Sequence, residues 1–383
     1  MKNTRILISG GSVGGPALAH WLVRYGFEVA VVEITPALRR GGQAVDVRGP
    51  ALDVAARMGV LKQIGDARVQ MTGMSMVDGD GNELYRSEEH TVTGGDLASP
   101  DIEILRDDLS QILADSAGDG VEWLFGDSIT ALEETAGGVQ VTFRSGTVRE
   151  FDLVVGADGL HSNTRRLAFG PEQDYIRHLG TYLAVWAAPN YLGLDRWQMF
   201  HQMPGGSWGG GVMTVRGNTE LRAYFGFESP EPLDYDYRDQ DAQKQIMLER
   251  FAGVGWELPR LLEYMKAAGD FHFDAMAQIH MDSWSTGRVV LLGDAGYCGS
   301  PLSGQGTSMA MVGAYVLAGE LKAAGGDHEK AFAAYESELR GYVTANQELA
   351  LTNKARVEAQ QSGETVDFQD FGDIVGGYAV KEY

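Results

Sequence analysis

Residues 5–33 constrain the fold more than any other stretch of this chain. An apolar run, Ile6-Leu7-Ile8-Ser9, meets a glycine turn, Gly10-Gly11-Ser12-Val13-Gly14-Gly15, then a helical run, then a second apolar run, Val29-Ala30-Val31-Val32-Glu33. In the helical run Ala17, Leu18, Trp21, Leu22 and Tyr25 recur at helical spacing, and Gly26 ends it. This is a βαβ unit, and strands apolar along their whole length belong in a parallel sheet covered on both faces. The turn is a variant of the dinucleotide fingerprint: Gly10 and Gly15 hold the outer positions and Ser12 the middle one. There the backbone must approach a pyrophosphate held by amides at the helix N-terminus. Glu33, eighteen residues beyond Gly15, is placed to accept hydrogen bonds from an adenosine ribose. Taken alone, the unit is a weak signal, and a tight turn without a ligand is its other reading.

A length of 383 residues calls for two lobes. Residues 51–66 read as a helix, 72–86 as a hairpin turning at Gly79-Asp80-Gly81-Asn82, 104–116 as a helix around Arg106, and 121–125, 139–143 and 151–155 as strands. From 175 to 228 the texture changes to alternating, aromatic-rich segments at 182–187, 198–203, 211–215 and 221–227, which predicts an antiparallel sheet. Helices at 242–251 and 258–268 follow, then a buried strand at 289–292. A long helix over 331–361 carries Phe332, Tyr335, Leu339, Tyr342 and Val343 on one face. The predicted fold is α/β: a doubly wound, Rossmann-like FAD-binding lobe of the glutathione-reductase type (1–70, 98–174, 278–325), an interleaved antiparallel-sheet substrate lobe (71–97, 175–277), and a C-terminal bridging helix and tail (326–383).

Acidic residues outnumber basic ones 53 to 31, and a formal charge of -22 repels nucleic acid and anionic membrane surfaces alike. The one cysteine, Cys298, forms no internal disulfide, and the first strand starts too early for a leader to precede it, so a cytoplasmic address is expected. No apolar stretch approaches the ~20 residues of a membrane span. His-x-x-x-His and Cys-x-x-Cys spacings are absent, as are the nucleophile-elbow and P-loop patterns; neither a metal nor a catalytic side-chain nucleophile is expected.

Two later stretches join the glycine turn: Asp158-Gly159-Leu160-His161-Ser162-Asn163-Thr164-Arg165, and Gly293-Asp294 followed by Pro301-Leu302-Ser303-Gly304-Gln305-Gly306-Thr307-Ser308. With Arg106 ahead of both, the chain resembles the group A flavoprotein monooxygenases, the family of para-hydroxybenzoate hydroxylase. Tetracycline-inactivating monooxygenases and small natural-product oxygenases are closest in length and texture. The resemblance implies FAD as cofactor, NADPH or NADH as reductant, O2 as co-substrate captured at flavin carbon 4a, and hydroxylation of a small aromatic or polycyclic substrate. Baeyer–Villiger oxygenation and a non-catalytic FAD-containing binding protein are the alternatives, and a monomer or weak homodimer is expected.

The same resemblance assigns FAD to Gly10, Ser12, Val13, Gly14, Gly15, Glu33, Arg40 on the adenosine side, Gln43 on the ring side, Arg106 and Asp158. Asp294 would serve the ribityl hydroxyls, and Pro301, Gly304, Gly306 and Thr307 the ring. Asp158, Gly159 and Arg165 are the NAD(P)H-related positions. Tyr297 stands where a histidine is common and Ser308 where an asparagine is frequent. On the aromatic-rich sheet, Trp186, Met199 and Phe225 are expected as substrate walls, and His201 and Tyr224 as polar handles.

Overall fold

Strands with no polar side chain must be covered on both faces, and the computed structural model, which describes residues 1–201, 209–361 and 378–383, shows how. Strand Arg5–Ser9 lies inside a six-stranded sheet, in the order Ser285–Thr286, Val289–Leu291, Leu153–Gly156, Arg5–Ser9, Glu28–Glu33, Val121–Phe125. Every pairing is parallel except that of the edge strand Ser285–Thr286. Ile6 and Ile8 pack on one side among the helices Gly14–Arg24, Arg106–Ala117 and Gly306–Ala323. Leu7, Ala30 and Val32 face the other side, against a three-stranded antiparallel sheet, Ile129–Glu134, Val139–Phe143, Val148–Phe151.

The aromatic-rich region forms a seven-stranded sheet ordered His272–Ile279, Ile176–Pro189, Glu220–Glu228, Gly210–Val215, Trp197–His201, Gly73–Val77, Glu83–Ser87. It is antiparallel but for one parallel pair, Trp197–His201 with Gly73–Val77. One face is covered by the helices Gln240–Arg250 and Leu258–Ala267. The other packs Tyr224, Met213 and Val185 on Leu105 and Ala44.

Several expectations change. The helix expected over 51–66 is two, Pro50–Met58 and Leu61–Asp66, broken at Gly59 in a left-handed conformation (φ 78°). Helix formation starts at Arg106, not 104, because Ile102–Leu105 pairs as a strand with Ala44–Val47. The segment expected as one strand over 151–155 is shared between two sheets. Strand His272–Ile279 was not expected at all, and residues 202–203 of the strand expected over 198–203 lie outside the described residues.

The long helix, His328–Gln361, reaches the six-stranded sheet through Tyr335, whose hydroxyl donates to the Leu291 carbonyl at 3.1 Å, and the seven-stranded sheet through polar contacts that apolar periodicity does not reveal. Gln347 Nε2 donates to the Ile279 carbonyl at 2.8 Å and Gln278 Nε2 donates back to the Gln347 carbonyl at 2.8 Å, while Asn353 Nδ2 donates to the Leu302 carbonyl at 2.8 Å. Among the described residues no helix is long and apolar enough to cross a membrane.

Candidate active site

The glycine turn is bare because nothing else fits. A Cβ at Gly10 would lie 2.3 Å from the Ala157 carbonyl oxygen, and one at Gly15 only 1.9 Å from the Gly10 carbonyl oxygen. The helix Gly14–Arg24 therefore starts directly against the end of the first strand, presenting its free amides and positive pole to the cleft. Glu33 accepts the Gly11 amide at 2.7 Å and, through its other oxygen, the amide and hydroxyl of Thr35 at 3.0 and 2.8 Å. Its carboxylate thus shapes the turn itself, with lone pairs left for a ribose.

Arg106 is the electrostatic centre of this lobe. It is 6% exposed, donates through Nη1 to Ser12 Oγ at 3.2 Å and through Nη2 to the Gly41 carbonyl at 2.7 Å, and its Nε has no partner among the described residues. Burial, then the nearby Arg39, bring the guanidinium down to about 10. A buried cation with an orphaned donor, aimed at a helix N-terminus, fits an anion such as a pyrophosphate. The loop over it needs glycine: a Cβ at Gly42 (φ 100°) would strike Arg106 Nε at 2.6 Å, and one at Gly41 (φ 74°) would strike Asp270 Cβ at 2.5 Å. Gln43 offers its carbonyl to the Arg106 amide at 3.1 Å, whereas Arg40 is exposed.

Across the sheet, strand Val289–Leu291 ends at Gly293 (φ 64°) and Asp294. Burial pushes the Asp294 carboxyl up, and Gly306, which opens the helix Gly306–Ala323, faces it: a Cβ there would stand 3.8 Å from Asp294 Oδ1. Pro301 is exposed and opens a short turn; Gly304 is left-handed; Thr307 is half-buried. Gln305 is 2% exposed with Oε1 unpartnered among the described residues, a second orphan at the place where a flavin ring edge is expected. Ser308 accepts the Arg48 amide at 3.0 Å and so is turned towards the Ala44–Val47 strand. Tyr297 belongs to the core, its hydroxyl paired with that of Tyr335 at 2.9 Å.

The Asp-Gly loop is a brace. Asp158 accepts from Ser9 Oγ at 3.3 Å, Ser162 Oγ at 2.5 Å, and the Thr164 amide and hydroxyl at 2.9 and 2.8 Å. Arg165, fully buried, binds the Ala295 and Leu160 carbonyls at 2.9 and 2.7 Å and Glu172 at 2.8 Å. The complete burial of Arg165, whose Nε has no partner among the described residues, and the internal bonds of Asp158 do not fit the direct contact with a nicotinamide nucleotide expected from the motif. Gly159 (φ 83°) remains half-exposed. His161 between Glu172 (2.9 Å) and Asp274 (3.1 Å) is pushed up to about 9: the two carboxylates outweigh the cost of burial.

On the seven-stranded sheet, four of the five expected substrate residues point the other way. Trp186, buried, donates to the Leu261 carbonyl at 3.0 Å; Phe225 and Met199 pack in the same helix-covered core; His201, 3% exposed, stacks on Trp256 at 5.7 Å. Side chains alternate along a strand, so these cannot share a face with Tyr224. Tyr224 faces the strands Ala44–Val47 and Ile102–Leu105 and accepts the Ala44 amide at 2.8 Å. Beside it lie Met213, the ion pair of Arg222 with Glu220 (2.9 Å) and Asp270, and Phe200, whose ring Gly211 admits. Gln198 and His272 complete this face, and burial holds His272 down to about 4, a neutral imidazole at physiological pH. Of the missed residues Arg222 was legible: 221, 223, 225 and 227 are all apolar, while Arg222, Tyr224 and Gly226 between them are not. Among the described residues no group of three or more His, Cys, Asp or Glu is arranged to hold a metal.

Comparisons with known proteins show the family of the chain. The FAD binding domain family matches residues 3–350. The chain is 51% identical over 378 residues to an uncharacterized protein of Mycobacterium tuberculosis, covering 99% of each. To a flavin-dependent monooxygenase of Legionella longbeachae it is 41% identical over 353 residues, covering 91% of this chain and 88% of that one. The crystal structure of tetracycline destructase Tet(51) superposes with a TM-score of 0.89 at 36% identity, over 100% of both chains.

Proposed function

This chain belongs to the FAD-binding-domain family of flavin-dependent monooxygenases, and from that premise we propose that it uses NADPH or NADH to insert one oxygen atom of O2 into a small aromatic or polycyclic substrate, as a hydroxyl group. It does so as a monomer or weak homodimer in the cytoplasm. The observation that carries this reading is the buried, partly unpartnered Arg106 beside Ser12 and the bare helix start at Gly14. When bound, the flavin supplies the redox and oxygen chemistry.

The protein's own groups bind and orient. Arg106 and the first helix amides hold the pyrophosphate, Glu33 the ribose, Asp294 the ribityl hydroxyls, and the amides opening the Gly306–Ala323 helix meet negative charge at the ring edge. Tyr224 and Phe200 hold the substrate from the sheet, backed by the buried Met213 and Gln198, a wall both apolar and hydrogen-bonding. Excluding water there strengthens each polar contact.

Tetracycline, named for the Tet(51) neighbour, heads a test panel with polycyclic phenols and heteroaromatics. The expected result is a compound that stimulates NADPH oxidation and yields a product heavier by one oxygen atom. Stimulated oxidation that releases only peroxide with every compound counts against it.

A further inference from the structure

The two-stranded ribbon of Ala44–Val47 and Ile102–Leu105 carries two carboxyl groups that cofactor binding leaves unused. Asp46 and Glu103 are direct cross-strand partners, so they leave the ribbon on one face with Cβ atoms about 5 Å apart. Asp46 is 12% exposed and pairs one oxygen with Arg48 at 2.9 Å; its Oδ1 is buried without a partner among the described residues. Tyr224, 8% exposed, stands beside them. Its hydroxyl accepts the Ala44 amide and finds no acceptor for its own proton among the described residues.

Polar groups surround this pair, and Glu103 itself meets the Thr93 side chain. Arg48 also reaches Asp101 at 3.8 Å and donates to the Thr93 and Gly94 carbonyls at 3.3 and 3.2 Å, while Gln198 holds Thr93 Oγ1 at 2.5 Å and the Val92 amide at 3.0 Å. The hairpin His90–Thr91 and Gly95–Asp96 therefore roofs the two acids. Ser308 approaches from the helix that faces Asp294, and Arg222 from the sheet. Burial, then the charge of Asp46, push Glu103 up to about 8; burial raises Asp46 less, because Arg48 opposes it. Two buried carboxyls held side by side disfavour double ionisation, so the pair retains a proton.

We propose that Asp46 and Glu103, holding one proton between them, form the recognition end of the substrate cleft and select rings that carry a hydroxyl next to a ketone carbonyl. The ionised carboxylate accepts the hydroxyl, and the protonated carboxyl donates to the carbonyl. A buried donor and acceptor side by side reject a ligand that offers only one of the two, because the other is left unpaired. This rests on the monooxygenase reading of the same cleft, whose substrate class it names.

The test is a titration of the FAD-loaded protein, followed by flavin absorbance, with 1-hydroxy-2-acetonaphthone, 1-naphthol and 2-acetonaphthone from about pH 6 to about pH 9.5. The hydroxy ketone is expected to bind about tenfold or more tightly than either single-function probe at neutral pH, with the preference fading above about pH 8 as Glu103 ionises. Glu103→Gln still donates and cannot ionise, so it keeps the preference at high pH; Asp46→Asn loses it throughout. Bound FAD and melting temperature are checked for both variants, and the wild-type arm stands alone if either fails to fold. Equal affinities, binding of none of the probes, or an unaltered pH profile in Glu103→Gln would overturn the proposal. The titration needs no turnover: a preference without any oxygenated product condemns the monooxygenase reading, and turnover without a preference condemns only the pair.

Discussion

Replacing Arg106 with methionine yields a folded protein that no longer retains FAD. The guanidinium is 6% exposed, its Nε is unpartnered among the described residues, and burial already lowers its affinity for a proton. Removing a buried charge of that kind relieves a desolvation cost, so the melting temperature of the flavin-free protein stays level or rises. Methionine keeps the volume and packing of the stem. The cofactor loses a charge-assisted contact worth about 1.5–3 kcal/mol, a fall in affinity of roughly tenfold to a hundredfold. Wild-type affinity in this variant would place the pyrophosphate elsewhere; a collapse of the flavin-free protein would make Arg106 a structural residue.

Gly15→Ala is expected to cost about 3 kcal/mol of stability, with loss of FAD, while Gly14→Ala next to it is tolerated within about 1 kcal/mol. The added methyl at position 15 meets the Gly10 carbonyl oxygen at 1.9 Å, backbone against backbone, where no rotamer change relieves it. The helix Gly14–Arg24 must then move off the strand, and its packing against Gly306–Ala323 and Arg106–Ala117 moves with it. At Gly14 the nearest atom is a Leu292 side-chain carbon at 3.5 Å, ordinary contact. Urea denaturation of the flavin-free variants separates the two. Equal costs would mean that the turn is not the close-packed cradle it is taken to be.

The parts of the site that were legible in the sequence are those whose signal is local. The strand, turn and helix of residues 5–33 carry their own spacing, and Gly293-Asp294 with the glycines after it carries another. Asp158 and Arg165 were legible as a motif but not as a brace, since their partners Ser9 and Ala295 are distant in sequence. The pairing of Ala44–Val47 with Ile102–Leu105 escaped because both segments are short and one precedes a helix.

The substrate face was misassigned for a different reason. Apolar residues fill both sides of Ile176–Pro189 and Trp197–His201, so size and aromaticity drew attention to Trp186 and His201, which serve the core under the helices. The polar member of each alternating pair, as in Arg222 and Tyr224, marks the side that must meet a ligand and water. His272 could not be found because its strand was not recognised.

The assignment of FAD to this cleft is tested most directly by what the purified protein carries. Denaturing it and separating the released flavin should give one FAD per chain from the wild type and little or none from Arg106→Met. FMN, or no flavin even after incubation with FAD, would contradict it.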